Sequence, residues 1–373
     1  MTGTRAAVLV EPRRFELREL PLPDIDDDSG LMRVESCGVC ASDVPVFRGE
    51  TLSLGFEFPV ILGHEIVGRV ERVGARAAKR WNVQEGDRII VERWIPCGHC
   101  ERCYRGDYRL CVPEVDGHRL FYGGSPTTLT PGLFGGYADH LYLHPNAVVY
   151  KVDPNVPAHH VPLFTPIGNA VSWLTKLGGA GIGSDVVIEG PGQEGLAAVI
   201  VAAAAGARTI TVTGLAADRA RLEVCRTLGA THTAVVGEDD VVEVVREATD
   251  GRMADVVLDV TSTASAQPIE LALSVAGVGA TVVCPSFHRD STAMNFSTSD
   301  LISRTVTVKG AYGRDRASVF AALAIIESGR YGLDRIATHQ VALEDVDRAL
   351  RMVARETDED PLHVSIVMDE EAE

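Results

Sequence analysis

The segment SDVVIEGPGQEGLAAVIVAAAAGA, residues 184–207, constrains the fold more than any other stretch of the 373-residue chain. An apolar run of strand length, Val186 to Glu189, leads straight into Gly190-x-Gly192-x-x-Gly195 and then into an alanine-rich helical stretch. A glycine triplet alone is a common turn signal. Set between a strand and a helix, it is the arrangement that brings a pyrophosphate onto a helix N-terminus. The first glycine permits the tight turn, the second lets the backbone approach the phosphates, and the third lets helix and strand pack closely. Gln193 and Glu194, inside the turn, join the three glycines as candidate cofactor-binding residues.

The rhythm around this turn extends it into a domain. Apolar runs at Thr209 to Thr213, Val256 to Val260 and Ala280 to Cys284 alternate with Ala- and Leu-rich helical stretches, which predicts crossover helices on a parallel sheet. The chain before about Pro162 reads differently, as short strands broken by Gly, Pro and Asp: Ala6 to Val10, Leu31 to Cys37, Ile66 to Val73 and Asp87 to Glu92. That predicts a small β-barrel-like domain with long functional loops. Two helical segments, Ala317 to Ser328 and about Leu343 to Ala354, and a strand-like run at His363 to Met368 close the sequence. No fixed-period repeat or low-complexity linker separates the parts, so a broad junction is expected, with its cleft the natural place for a cofactor.

The second strand of the alternating part, TITVTG, ends in Gly214, where an acidic residue would bind the adenosine ribose of NAD. The following loop offers Asp218 for a ribose hydroxyl and Arg219 and Arg221 for a 2′-phosphate, and surface solvation serves equally for all three. NAD and NADP both stay open.

Cys97, Cys100, Cys103 and Cys111 lie within the fifteen residues CGHCERCYRGDYRLC. This spacing predicts a four-thiolate zinc site, closed and therefore structural, with a redox CxxC or unconnected core thiols as the alternative. His99 lies inside the loop but is not needed to complete the set. Cys225 and Cys284 fall in the second domain, where a buried small hydrophobe is the default.

A separate group is Cys40, in CGVCASD, with His64 and Glu65, in GHEIVGRVERVG. Each piece alone is more often packing or surface; together a thiolate, an imidazole and a carboxylate can hold zinc and leave room for water or an alcohol. Here the chain resembles the zinc-dependent medium-chain alcohol dehydrogenases, including sorbitol and threonine dehydrogenases. The resemblance spans nearly the whole length: GVCASD, the GHE-x2-G-x5-G segment, the EGDR turn at Glu85 to Arg88, the cysteine lobe and the glycine turn. It implies an α/β protein in which 1–165 and 312–373 form a GroES-like catalytic domain with a structural zinc lobe. Residues 166–311 would form a Rossmann domain. It makes Cys40 and His64 ligands of a catalytic zinc, Glu65 a direct or intermittent one, Ser42 the start of a proton relay, and Asp43 the residue that orients His64. Short polar residues such as Ser42 and Asp43 also serve as caps and turns.

Two positions depart from the pattern. Relatives with an EP or DP motif complete the zinc shell with a carboxylate, and LFTPIGNAV has Thr165 there; Pro45 stands where sorbitol and threonine dehydrogenases carry a histidine. Both departures point to a primary, secondary or cyclic alcohol of lower polarity, oxidised to an aldehyde or ketone, with polyols and amino alcohols as the alternative. Trp94 and Phe47 are candidates for an apolar pocket or for core, Phe287 and His288 for the nicotinamide border, and His159 and His160 for loop or helix-start positions.

Lys and Arg total 35 against 52 Asp and Glu, a formal charge of -17 that disfavours nucleic acid and anionic lipid as partners. The acidic runs Asp24 to Asp28 and Asp369 to Glu373 read as solvated loop and terminus. The start MTGTRAAVLVEP lacks a secretory pattern and no run reaches a membrane span, so a cytoplasmic protein is expected, and the resemblance implies a homodimer or homotetramer. The reading from another class is a zinc-stabilised dinucleotide-binding protein with a redox-sensing or structural role, which Thr165 favours. A zinc-independent quinone or enone reductase fits the Cys40, His64 and Glu65 set less well.

Overall fold

The computed structural model describes residues 3–50, 56–263, 265–286 and 297–368. Phe287, His288 and the run from Asp369 to Glu373 lie outside the described residues. The chain divides into two compact units, Met1–Phe164 with Ala337–Glu373, and Thr165–Ile336.

The first unit is built on β-sheets. Strand Gly30–Gly38 is its centre: it pairs antiparallel with Glu65–Val73, with His140–Leu143 and with Val364–Val367. Glu65–Val73 passes the sheet on to Arg88–Val91 and then Val149–Lys151, while Val364–Val367 pairs parallel with His339–Ala342. A second sheet holds Arg14–Pro21, Gly3–Glu11 and Val60–Ile61 in that order. Met32, Val34, Cys37, Ile66, Val70, Ile89 and Val91 alternate into a shared core with Leu141, Val364 and Ile366. Leu31, Val67 and Ile90 on the alternate positions are buried as well, so the central strands are covered on both faces here.

The second unit contains a six-stranded sheet in the order His232–Val235, Thr209–Gly214, Asp185–Glu189, Ala254–Asp259, Ala276–Cys284, Thr307–Gly310, every neighbouring pair parallel. This is the doubly wound order, in which the chain reverses direction across the sheet between Asp185–Glu189 and Ala254–Asp259. Helices Gln193–Ala204, Arg219–Leu228, Val241–Ala248, Gln267–Val275 and Thr298–Arg304 make the crossovers. Asp185–Glu189 is buried along its whole length, as a central parallel strand covered on both faces must be.

The second unit extends to Ile336, whereas the sequence reading returned to the first domain at 312. The helix Arg316–Glu327 belongs with the parallel sheet because the segment before it is tied there. The Trp173 indole donates to the Gly313 carbonyl (3.0 Å), Lys176 pairs with Asp315 (2.5 Å), and Arg314 donates to Asn169 and Thr165 (3.4 and 3.3 Å). No helix among the described residues is long and apolar enough to cross a membrane.

Candidate active site and metal centres

Cys40 lies just beyond the end of Gly30–Gly38, and His64 and Glu65 stand at the start of the strand paired with it, so sheet register brings the three together. A Cys40 sulfur, a His64 ring nitrogen and a Glu65 oxygen all lie within 4.8 Å of one another. His64 and Glu65 are buried and Cys40 is half-buried, which leaves one side accessible. A soft thiolate, an imidazole and a carboxylate with one open side form a donor set suited to a reactive zinc.

The ligand candidates are held by a buried chain of hydrogen bonds. Asp43 Oδ1 lies 3.2 Å from His64 Nδ1, while Asp43 Oδ2 accepts from the Cys40 amide (3.2 Å) and from the Tyr137 hydroxyl (3.0 Å). Burial opposes ionisation of Asp43, but the His64 ring, the Arg93 guanidinium and the Tyr137 hydroxyl outweigh it and hold the carboxyl below its ordinary value. Asp43 therefore presents a charge to His64 Nδ1, while Cys40 and Glu65 bring their donor atoms close to the same ring. His363 Nε2 lies 3.4 Å from Glu65 Oε2, both residues fully buried. The Ser42 hydroxyl, on the exposed turn, donates to Cys40 Sγ at 3.3 Å. Cys37, only three residues away, is fully buried, donates to the Gly38 carbonyl and has its thiol pushed well up by burial, so it is no ligand.

Around this group, Arg93 Nη1 lies 3.4 and 3.5 Å from the two ring nitrogens of His64, and its guanidinium sits over the rings of Trp94 and Phe121. Phe56 meets Phe121 edge-on at 5.5 Å. Trp94 is thus part of the aromatic surround. Phe47 is core: it is fully buried, stacked on Phe15 and covered by Arg13 and Arg351.

The four clustered cysteines converge on one point, their sulfurs all within 4.8 Å of one another and none in a disulfide. Thiolates around zinc at about 2.3 Å form a tetrahedron with edges of about 3.8 Å. Here Cys97 and Cys103 sulfurs are 3.9 Å apart, and Cys100 and Cys103 sulfurs 3.5 Å. Backbone amides begin the deprotonation that a metal requires: the Cys103 amide lowers the Cys100 thiol to about 7, and the His99 amide lowers Cys97. Burial does the opposite to Cys111, pushed up to about 12, and to Cys103. His99 itself turns its Nδ1 to the Cys97 carbonyl and stays outside the set.

In the second unit, Gly190 adopts φ of +100°, which favours glycine, and a side chain on Gly195 would strike the Gly190 carbonyl at 1.9 Å. Nothing lies within 4 Å of the space a side chain on Gly192 would fill, and Gly192 caps the helix Gln193–Ala204 without a side-chain acceptor. The first-turn amides are thus open to a phosphate approaching over Gly192. The Glu194 carboxylate is engaged by Asn169 (3.0 Å). Gly214 is crowded, a side chain there meeting Pro191 at 3.0 Å and Asp218 at 3.2 Å. Asp218 accepts from the Leu215 amide (3.0 Å), Arg221 is buried, and Arg219 is exposed and paired with Glu238. The Thr165 hydroxyl accepts from the buried Arg314.

Known proteins share this organisation. Residues 26–154 match the family described as "Alcohol dehydrogenase GroES-like domain" and residues 195–328 the family described as "Zinc-binding dehydrogenase". A Mycobacterium tuberculosis protein named "Probable alcohol dehydrogenase" is 38% identical over 355 residues, 95% of each chain. The chain belongs to the zinc-type alcohol dehydrogenase family. An erythritol/L-threitol dehydrogenase of Mycolicibacterium smegmatis is 32% identical over 94% of each chain. The crystal structure of an alcohol dehydrogenase from Thermotoga maritima superposes with a TM-score of 0.87 at 25% identity, covering 98% of this chain and all of that one. The resemblance read from the sequence is therefore borne out, and with it the GroES-like and Rossmann architecture and an oxidoreductase acting on CH–OH groups.

As a zinc-type alcohol dehydrogenase the chain has site residues that the sequence reading passed over: Tyr137 and His363, which meet Asp43 and Glu65, and Arg93. Tyr137 is 94 residues from Asp43, and His363 is 298 residues from Glu65, so no local pattern links them. Arg93 lies two residues past the strand Arg88–Val91, where an arginine reads as an ordinary surface cation.

Proposed function

We propose that this chain oxidises primary, secondary or cyclic alcohols to aldehydes or ketones, with zinc held by Cys40, His64 and Glu65 and with NAD or NADP held at Gly190, Gly192 and Gly195. The observation that carries the reading is the convergence of three unlike zinc donors with one accessible side. Zinc bound there would lower the pKa of an alcohol hydroxyl, and bound nicotinamide would accept the hydride. The chain's own contributions follow from its hydrogen bonds. Asp43 and Tyr137 fix the His64 ring, His363 steadies Glu65, and Ser42, the exposed hydroxyl next to Cys40, takes the alcohol proton toward solvent. Cys97, Cys100, Cys103 and Cys111 hold a second, structural zinc.

At the nucleotide end, Gly192, Gln193, Glu194 and Gly195 form the pyrophosphate turn. Gly214 offers no carboxylate to a ribose. Arg219 reaches a 2′-phosphate only by giving up Glu238. The mycobacterial erythritol/L-threitol relative favours a second reading, a polyol substrate.

Nucleotide reduction by a panel of neutral alcohols and polyols, run in parallel with NAD and NADP and with and without a chelator, tests the proposal. The expected result is chelator-sensitive turnover of at least one neutral alcohol and about two zinc ions per chain, falling to about one in Cys40→Ala. Nucleotide uptake without turnover of any alcohol would instead favour the non-catalytic reading.

A further inference from the structure

Arg93 is a cation that the protein keeps beside its zinc donors without a direct ion pair, although its charge reaches the Asp43 carboxylate. On the central sheet Arg69 and Arg88 share Glu35, and on the second sheet Arg5 takes Asp139 and Glu344. Among the described residues Arg93 has no carboxylate within ion-pairing distance, and its Nε is buried with no hydrogen-bond partner. The nearby acids are already engaged, Asp43 by His64, Cys40 and Tyr137, and Glu65 by His363. Its neighbour Glu92 is fully buried and accepts from the Tyr108 hydroxyl.

The guanidinium is also fixed in place. Its central carbon lies 5.1 Å from the Phe121 ring centroid and 5.6 Å from that of Trp94, and Nη1 touches His64. Trp94 and Phe121 are themselves locked by an antiparallel backbone bridge. An arginine positioned by aromatic rings presents a planar fork of donors, the geometry that a carboxylate accepts in a bidentate way. A buried donor left unmatched carries a desolvation penalty that an incoming acceptor removes.

We infer that Arg93 is a specificity-determining residue that binds a carboxylate on the substrate, so that the preferred substrates are alcohols carrying an acid group, their apolar portion lying against Trp94 and Phe121. The inference rests on the proposed alcohol oxidation and narrows its substrate class. Zinc held by Cys40, His64 and Glu65 would take the hydroxyl, and Arg93, in contact with His64, takes the acid group of the same molecule.

The test compares matched pairs: benzyl alcohol with its para-carboxylate, and n-butanol with gamma-hydroxybutyrate. The expected result is that the wild type has the higher kcat/KM for the acid of each pair. In Arg93→Gln the acid-to-neutral ratio of kcat/KM falls by at least about tenfold, mainly through KM for the acids, and Arg93→Lys recovers part of the loss. Calorimetric binding of benzoate to the zinc-loaded protein supplies a readout without turnover, expected to weaken at least about tenfold in Arg93→Gln at unchanged zinc content and circular dichroism. Equal loss with acids and neutral alcohols, no preference in the wild type, or benzoate binding indifferent to Arg93 would each overturn the inference. If no alcohol is oxidised but benzoate binding depends on Arg93, the proposed oxidation fails and the acid site stands. If neutral alcohols are oxidised and benzoate does not bind, the oxidation stands and the acid site fails.

Discussion

At the scale of single residues, the proposed zinc donors depend on side chains outside the donor set. Asp43 is fully committed, and replacing it with Asn keeps the shape but removes the charge facing His64 Nδ1. The expected cost is about 10- to 100-fold in zinc affinity or kcat, measured by competition with a chromophoric chelator and by initial rates. Part of this was legible in the sequence: Cys40, Ser42 and Asp43 are neighbours, as are His64 and Glu65, so their spacing survives inspection. Tyr137 and His363 were not legible, because their partners are supplied by tertiary pairing. Glu189 is a second such case. It ends its strand in register with Asp259, and neither of its oxygens has a hydrogen-bond partner. Burial, reinforced by the charge of Asp259, raises its carboxyl well above the ordinary value. The folded protein keeps this proton while the unfolded chain loses it above about pH 4.3, so stability falls as pH rises from there toward the raised folded value. Glu189→Gln should remove that dependence: its melting temperature exceeds that of the wild type at pH 8, and the gap closes below pH 4. Parallel melting curves decide it.

At the scale of elements, the lobe from Cys97 to Cys111 has little regular structure: a four-residue helix Glu101–Tyr104 and a three-residue turn of 3-10 helix, Tyr108–Leu110. It contributes no side chain to the main core of its unit. Its order must come from the metal, and Cys103→Ser is expected to lower bound zinc from about two to about one per chain. Trypsin should then cut faster at Arg102, Arg105 and Arg109, read by mass spectrometry. The lobe and the strands Gly30–Gly38, Glu65–Val73 and Asp185–Glu189 were visible in advance because ligand spacing and uninterrupted apolar runs are local signals. His232–Val235 and Thr307–Gly310 were not: each has four residues, and the second is largely exposed, so neither shows an apolar rhythm. The helical stretch from Ala158 to Leu177 was hidden by Pro162, Pro166 and Gly168. It passes from 3-10 through α to a wide π turn, which absorbs those residues.

For the whole molecule, no strand among the described residues pairs with the outer side of Thr307–Gly310. Val308 on the edge strand is 48% exposed, Ile302 before it 76%, and Val278 on the neighbouring strand 78%. Unpaired backbone beside apolar side chains favours association, and a second copy of the chain can supply both a strand and a matching face. Light scattering is expected to give a dimer or tetramer mass, and Val308→Lys with Ile302→Glu to lower it. A monomeric wild type would contradict this. The two-part organisation was legible from the change of rhythm, but the return point was not. Sequence shows where a pattern stops, whereas contacts of Trp173, Lys176 and Thr165 with Gly313 to Asp315 decide which side the chain belongs to.

The strand Val364–Val367 is inserted directly beside Gly30–Gly38, so the first and last parts of the polypeptide share one sheet. During synthesis the N-terminal portion therefore waits, with one flank of its central strand unsatisfied, while the entire nucleotide-binding portion is made. Residues 165–336 can reach their final form on the ribosome, but the group of Cys40, His64 and Glu65 gains His363 only after all of them have been made. A chain cut before Val364 would leave a folded dinucleotide fold attached to an unfinished sheet.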